Sequence, residues 1–426
     1  MASLGPVPPG PRGGLLVGNL RAYEEDRLGF LQRVAENYGP ISAFDRRTTV
    51  LSDAGLARRV LGELAGTAVI RNNVLQEPIP VGEVASWPVA RRLMNPVLRK
   101  RVIDQRRSQI VRLAVDHVRS SGARFFDAVE YWEPFTSRTA ADYFLGEDGG
   151  RVPALVRDLL ASLPAVAGNV FALPAAVPTP SRRRVRNAFA ELRAHLLPPL
   201  TARARDPQSY DDAAGNLVRR AAQMEPRPGL DRLVNVLIGN LLASYTVPAA
   251  GLAWATWALS QHPEWITRVR EEAPRALAPP DTANAQMPHT TGVLMESFRL
   301  YPPTWLLTRQ LSSGAIVGGY ALPAGQTIMT SPFVLHRDPA NFDDPQSFAP
   351  ERWGPGGNAD PANFFGFGHG PRGCPGRDLA IISCSSALAA LVSQADFEVT
   401  GDPTPNPRFI LRPRALRIEV KVRRVG

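Results

Sequence analysis

From Leu233 to Pro263 the chain carries no Asp, Glu, Lys or Arg. A helix over that span is apolar on every side, and such a helix has two destinations: a bilayer, which a segment of this length can cross, or the interior of a large core. Asn235, Asn240, Ser244, Tyr245 and Thr246 are scattered through it, and Pro248 sits near its middle. With 426 residues, 44% of them hydrophobic, the chain can build a core large enough to enclose the segment. The opening residues Met1-Ala2-Ser3-Leu4-Gly5-Pro6 lack the charged and apolar regions of a signal peptide. No membrane anchor is expected, and the core is the favoured destination.

The second constraint is the stretch Phe367-Gly368-His369-Gly370-Pro371-Arg372-Gly373-Cys374-Pro375-Gly376. Four glycines let the backbone lie flat against a ligand and turn its amides toward one sulfur. Arg372 adds a cation that can meet an anionic group. The run Arg377-Asp378-Leu379-Ala380-Ile381-Ile382 reads as a helix start whose positive end faces the Cys374 thiolate. Taken alone, a cysteine in a glycine loop is most often a plain turn residue. The other cysteine, Cys384, falls in an apolar run and reads as a buried core thiol, so no disulfide framework is indicated and a reducing cytoplasm fits.

Phe at −7, Gly at −4, Arg at −2 and Gly at +2 from Cys374 form a more specific pattern. It resembles the haem-binding loop of the cytochrome P-450 family. The resemblance implies a mainly α fold with small β regions, a triangular helical prism around haem b, in one domain over the whole chain. By the same resemblance Cys374 is the thiolate ligand of the iron, Phe367 packs over its sulfur, Gly376 completes the loop, and Arg372 meets a haem propionate. His336 and His369 are not expected as iron ligands.

Other segments carry the same likeness. Residues 1–20 are a Pro/Gly-rich lead-in, and 30–39 have helical spacing ending at Gly39, followed by two short strands. Trp87 and Arg91 are four apart on one helix face and look like the family's propionate-binding pair, with Arg92, Arg99, Lys100 and Arg101 beside them. Residues 151–204 resemble the two lid helices and their loop over a substrate entrance. Residues 231–263 resemble the long I helix, and 365–390 the haem loop and L helix. Glu296 and Arg299, followed by Pro350-Glu351-Arg352-Trp353, resemble a buried structural triad of Glu296, Arg299 and Arg352. Arg309 matches an arginine that reaches a propionate from a strand. Near the C-terminus, alternating segments read as strands, with Phe409 and Ile410 at a hairpin tip.

The sequence departs from the family at one place. The usual acid and threonine that serve oxygen activation belong at 246 and 247, after Ala-Gly at 243 and 244. This chain reads Ala243-Ser244-Tyr245-Thr246-Val247-Pro248. Cleavage of an O–O bond needs a proton, and Val247 has no group to relay one. Three routes stand open: Thr246 substitutes after a register shift; Pro248, with no N–H for the Ser244 carbonyl, opens the helix to an ordered water; or the substrate supplies the network. Peroxygenase relatives carry arginine–proline at the pair, and here only the proline is present.

The function implied is monooxygenation of a hydrophobic small molecule, a natural-product intermediate of bacterial secondary metabolism. The reaction takes O2 and electrons from ferredoxin and ferredoxin reductase. Non-standard haem-thiolate chemistry (peroxygenation, nitration, rearrangement or desaturation) and a non-catalytic helper role are the alternatives. Leu242, Tyr245, Thr304, Leu306, Leu307, Phe409 and Ile410 are the expected pocket residues. The net charge of +10 reflects arginines spread over solvated faces rather than a compact basic-aromatic module, so nucleic acid is not an expected partner. A cytoplasmic monomer is expected.

Overall fold

The computed structural model describes residues 7–14, 18–69, 87–122, 124–163, 179–277 and 287–423. In chain order, α1 (Leu20–Glu25) and α2 (Arg27–Tyr38) lead into the hairpin of β1 (Ile41–Asp45) and β2 (Thr48–Leu51), then α3 (Ala54–Leu61) and β3 (Ala68–Val69). Next come α4 (Trp87–Met94), α5 (Lys100–Asp104), α6 (Arg107–Arg119), β4 (Phe125–Asp127), α7 (Ala128–Leu145), α8 (Val152–Ser162), α9 (Pro180–Arg205) and α10 (Ala213–Ala222). The centre of the sequence forms α11 (Leu230–Ala243), α12 (Thr246–Gln261), α13 (Pro263–Ala276) and α14 (Pro288–Leu300). Strands β5 (Leu307–Leu311), β6 (Ala315–Val317), β7 (Tyr320–Leu322) and β8 (Thr327–Thr330) precede α15 (Pro332–Leu335). The chain finishes with α16 (Arg377–Gln394), β9 (Ala395–Pro407) and β10 (Leu411–Val422). The expected loop between the lid helices falls at 164–178, outside the described residues, as does the segment 70–86.

A five-stranded sheet in the order β1-β2-β8-β5-β3 gathers strands from both ends of the chain, with β2 and β8 parallel and the other pairs antiparallel. Strand β5, which carries Arg309, is held between β8 and β3, so that arginine comes from a paired strand rather than a loop. A second sheet, β4-β10-β9, docks the C-terminal hairpin beside the start of α7. There Asp127 caps α7, accepting from the Val129 and Glu130 N–H groups at 2.9 and 3.1 Å.

Helix α12 runs through the interior, packed by α7, α14 and α16. Its alanines allow close approach, and Gly251 is required: a Cβ there would lie 2.3 Å from the Phe298 ring of α14. Leu252, Trp254 and Leu259 are fully buried, and each buried leucine contributes about 1.5–3 kcal/mol. The polar edges of the core are satisfied: Trp132 Nε1 donates to Thr256 Oγ1 at 3.1 Å, and Trp254 Nε1 donates to the Leu411 carbonyl at 3.1 Å. Leu230–Gln261 is, among the described residues, the one helical stretch long and apolar enough to cross a membrane. The fold uses it as the core of the bundle.

The charge-free segment is two helices, not one. Ser244 (φ −91°, ψ 4°) and Tyr245 (φ −93°, ψ −84°) separate α11 from α12. The cause lies three residues on. Pro248 offers no N–H to the Ser244 carbonyl and its ring crowds that carbonyl, so a continuous helix is disfavoured there. Thr136 of α7 donates its hydroxyl to the Tyr245 carbonyl at 2.8 Å and holds the break in place.

Candidate active site

The cysteine loop is a chain of turns. Gly368 N donates to the Phe365 carbonyl at 2.8 Å, Gly373 N to Gly370 at 2.9 Å, and Cys374 N to Phe367 at 2.6 Å. Gly368 (φ 71°) and Gly370 (φ 68°) occupy left-handed backbone. At Gly370 a Cβ would also come within 2.4 Å of the Leu61 carbonyl, so this turn excludes every other residue. The Phe367 ring packs against Phe298 and Phe364 at 5.6 and 6.1 Å, anchoring the loop to α14.

Cys374 precedes the first turn of α16. Its side chain is exposed by surface area, yet it sits deep enough in the protein for burial to raise the thiol above its ordinary value. Three neighbours oppose that rise: the Gly376 backbone amide and the Arg91 and Arg377 guanidiniums. The same groups would hold a thiolate. Cys384 differs: it is fully buried and its thiol is pushed up to about 12, an inert core sulfur.

Arg91 lies on α4 and donates to the Gly373 carbonyl and, at 3.4 Å, to Asn95 Oδ1. It thus fastens the residue next to the cysteine, a contact that the sequence pattern does not disclose. Burial lowers Arg91, while the sulfur of Cys374 supports its charge. The side chain of Trp87, at the start of the same helix, lies outside the described residues.

The Glu296, Arg299 and Arg352 triad is assembled. Arg299 donates Nε to Glu296 Oε2 at 2.9 Å and Nη2 to Oε1 at 2.8 Å, and Arg352 Nε donates to Oε1 at 3.1 Å. Two donors extend it: Trp353 Nε1 to Oε2 at 2.8 Å and the Ala349 N–H to Oε1 at 3.0 Å. Arg299 also donates to the carbonyls of His336, Pro345 and Ser347. Glu296, Arg299 and Arg352 are all buried, and among the described residues no hydrogen bond, ion pair or ring contact joins them to Cys374.

Sequence reading missed the role of His336. The residue is fully buried, stacked on Phe364 at 5.1 Å, and bonded through both nitrogens: Nδ1 to the Arg299 carbonyl at 2.9 Å, Nε2 to the Phe365 N–H at 2.8 Å. A carbonyl only accepts and an N–H only donates, so the proton sits on Nδ1. His336 joins the triad to the segment at Phe365 that leads into the cysteine loop.

Arg309 and Arg372 supply the test of whether the implied haem fits. Arg309 Nη1 donates to the Thr308 carbonyl at 2.8 Å, while its buried Nε finds no hydrogen-bond acceptor among the described residues. Burial first, and the nearby Arg372 second, push Arg309 down to about 10; burial also lowers Arg372. A buried guanidinium with a second one near it suits an anionic group. A group with one thiolate ligand and two carboxylates meets both the sulfur and the guanidiniums, so these residues fit haem. Among the described residues there is no cluster of three or more His, Cys, Asp or Glu able to hold a metal by side chains alone.

Most of the expected pocket residues pack into several different core clusters. Tyr245 and Ile410 are buried in separate core clusters, and the Tyr245 phenol is pushed up to about 12 by burial. Leu242, Leu306 and Leu307 are half-buried at the edges of three clusters, and Thr304 and Phe409 are exposed. At the break, Val247 is half-buried against the α12 core, and Ser244 Oγ donates back to the Asn240 carbonyl at 2.8 Å. Thr246 and Pro248 are half-buried in the first turn of α12.

Comparison with known proteins agrees with this architecture. Pentalenene oxygenase of Streptomyces avermitilis is 31% identical over 260 residues, covering 59% of this chain and 58% of that protein. Cyclooctat-9-en-7-ol 5-monooxygenase of Streptomyces melanosporofaciens is 32% identical over 225 residues, 51% of this chain and 49% of that one. Flavonoid 3'-monooxygenase of Arabidopsis thaliana is 32% identical over 188 residues, 41% of this chain and 37% of that protein. The matched region thus spans between 37% and 58% of the length of these curated relatives. The family description "Cytochrome P450" matches residues 8–420, nearly the full length. With a cysteine loop at the start of α16, the buried Glu296–Arg299–Arg352 group behind it and this match, the chain belongs to the cytochrome P450 family.

Proposed function

We propose that the protein is a haem-thiolate monooxygenase that binds haem b through Cys374 and oxidises a hydrophobic small molecule. The observation that carries the proposal is the pairing of a sulfur, supported by the Gly376 N–H, Arg91 and Arg377, with the desolvated guanidiniums of Arg309 and Arg372. Once bound, the haem supplies O2 activation, with the thiolate favouring O–O cleavage. The protein's own part is to hold the sulfur, neutralise the two carboxylates and admit an apolar substrate. The balance is RH + O2 + two electrons + two protons to ROH + water.

The relatives named for pentalenene and for cyclooctat-9-en-7-ol support a hydrophobic natural product as the substrate class. Electrons come from a ferredoxin reduced by ferredoxin reductase. The exposed Arg92, Arg99, Lys100 and Arg101, on or beside α4 and α5, suit the docking of an acidic carrier. Localisation in the cytoplasm accompanies this reading.

The interrupted helix with Val247 favours a second reading, in which the same haem site runs peroxide-driven or rearrangement chemistry. The reduced CO complex tests the common core: it is expected to show the red-shifted Soret band of thiolate ligation, lost in Cys374→Ser. Retention of that band by the serine variant would sink the proposal. Turnover with O2 plus the ferredoxin system against peroxide alone then separates the two readings.

A further inference from the structure

The Phe298 ring of α14 touches two elements at once. On one side is α12: a Cβ added at Gly251 would lie 2.3, 2.8 and 3.3 Å from the ring carbons Cε1, Cζ and Cδ1. Gly251 is not in left-handed backbone, so it supplies room for the ring rather than a turn. Glycine is a poorer helix former than the alanines around it, and that room is what α12 gains in exchange. On the other side is the cysteine loop: Phe298 meets Phe367 edge to face at 5.6 Å and 64°. The ring is 3% exposed, so both contacts lie out of solvent.

Phe367 is tied to the sulfur in two ways. Its carbonyl accepts the Cys374 N–H at 2.6 Å, and the Arg377 guanidinium lies over its ring, 5.8 Å from the centroid. Arg377 opens α16 and is one of the cations that favour the charged form of Cys374. A second ring beside Phe367 is Phe364, at 6.1 Å. Phe364 is itself held by His336 at 5.1 Å and by Trp353 at 5.0 Å, whose indole donates to Glu296. One flank of Phe367 is therefore fixed by the Glu296 network, while the other depends on Phe298 and through it on α12. Close packing leaves such a ring little room to move alone, so a shift of α12 at Gly251 reaches Phe367.

We propose that Phe298 is a positioning residue: it sets Phe367, and with it the Arg377 guanidinium and the Cys374 N–H bond, according to where α12 lies at Gly251. For its chemical consequence this rests on the haem-thiolate reading, since hydrogen bonds and charges around a ligating sulfur tune the metal it holds. The role is steric; no bond forms or breaks, and no proton or electron moves. The competing role is ordinary core packing, in which the ring contributes to stability alone.

The test is a double-variant cycle in the full chain: Gly251→Ala, Phe298→Leu and the two together. Leucine lacks the Cε1 and Cζ carbons, the two nearest the added Cβ, so the pair is accommodated. One readout is hydrogen exchange of the peptide covering 365–376, which needs no haem. The other, in the loaded protein, is the position of the reduced-CO band together with the reduction potential. Each single substitution is expected to speed exchange of that peptide about tenfold and to move the band and the potential. In the Phe298→Leu background, adding Gly251→Ala is expected to change none of them, because the ring that carries the displacement is gone. Additive effects of the two substitutions on the loop overturn the proposal. Urea unfolding follows global stability: a loss of stability with band, potential and 365–376 exchange all at wild-type values assigns ordinary packing and overturns it equally. If Gly251→Ala alone does not fold, the double variant is expected to fold with the loop readouts of Phe298→Leu. Failure of the double variant to fold, or wild-type readouts in Phe298→Leu, then overturns the proposal. The wild-type CO spectrum separates the two levels: without a thiolate band the haem reading fails, while the exchange cycle still decides whether Phe298 links α12 to the loop.

Discussion

His336 Nε2 accepts the N–H of Phe365 at 2.8 Å while its Nδ1 donates to the carbonyl of Arg299 at 2.9 Å. One imidazole thus joins the end of α14 to the start of the cysteine loop, and it does so only as the neutral Nδ1–H tautomer. Replacing it with alanine leaves two buried backbone groups without partners, each costing about 1–3 kcal/mol. Burial holds His336 down to about 3 in the folded chain, well below its ordinary value. Between those two values the unfolded chain binds a proton that the folded chain refuses. This contribution to stability is therefore complete above the ordinary histidine pKa and is lost as pH falls towards 3. The expected loss reaches about 1.4 kcal/mol per pH unit. Urea unfolding at several pH values checks this, with a shallower pH slope expected in His336→Gln.

The Glu296 carboxylate accepts from two guanidiniums, an indole and a backbone N–H, all out of solvent. Glu296→Gln leaves Arg299 and Arg352 buried without their counter-charge. A stability loss of about 3–5 kcal/mol is expected, with little soluble protein recovered. Because no contact among the described residues joins the group to the sulfur, any protein that does fold is expected to keep the wild-type position of its reduced-CO band. Chemical denaturation and the CO spectrum measure the two parts separately.

Much of this architecture was legible along the chain. The residue spacing around Cys374 singled out the loop, and the charge-free run around α12 pointed to an interior helix once no membrane anchor was expected. The triad residues were recognisable because each carries its own local pattern. Thr136 and His336 carry none: their contacts arise where α7 meets the helix break and where α15 meets the cysteine loop, between segments far apart in sequence. Arg91 was placed by its helix spacing, but spacing alone did not reveal the Gly373 carbonyl as its acceptor. The pocket residues were the least legible, since an apolar residue that packs a core and one that lines a substrate look alike as letters.

Arg309 gives a prediction of opposite sign for the haem-free and loaded proteins. A desolvated guanidinium with an unsatisfied Nε beside Arg372 destabilises the haem-free fold. Arg309→Leu is expected to stabilise that form by about 1–3 kcal/mol, since replacing a buried charge with a packed apolar group removes the desolvation penalty. The same substitution removes a charge-assisted hydrogen bond to a carboxylate, about 1.5–3 kcal/mol, and speeds haem loss by roughly ten- to a hundredfold. Urea unfolding of the haem-free protein and haem transfer to an acceptor globin provide the two measurements. A residue serving only the fold would shift both in the same direction.

Pro248 is the third residue of α12, counting from Thr246. In the middle of a helix a proline costs about 3 kcal/mol, from the lost hydrogen bond and the clash with the carbonyl four residues back. Within the first turn of a helix the N–H groups have no intrahelical partner, so most of that cost disappears. Pro248→Ala is therefore expected to change stability by less than about 1 kcal/mol, far from the gain a mid-helix proline would predict. What it changes is geometry: the new N–H can reach the Ser244 carbonyl, and α11 and α12 can join, but only if Tyr245 gives up its present backbone angles and the Thr136 hydroxyl bond. Amide hydrogen exchange across 244–249 reads this directly. Slower exchange there than in wild type means that the proline alone keeps the helices apart. Unchanged exchange, with slowing only in the Thr136→Val, Pro248→Ala double variant, means that α7 holds the break open independently.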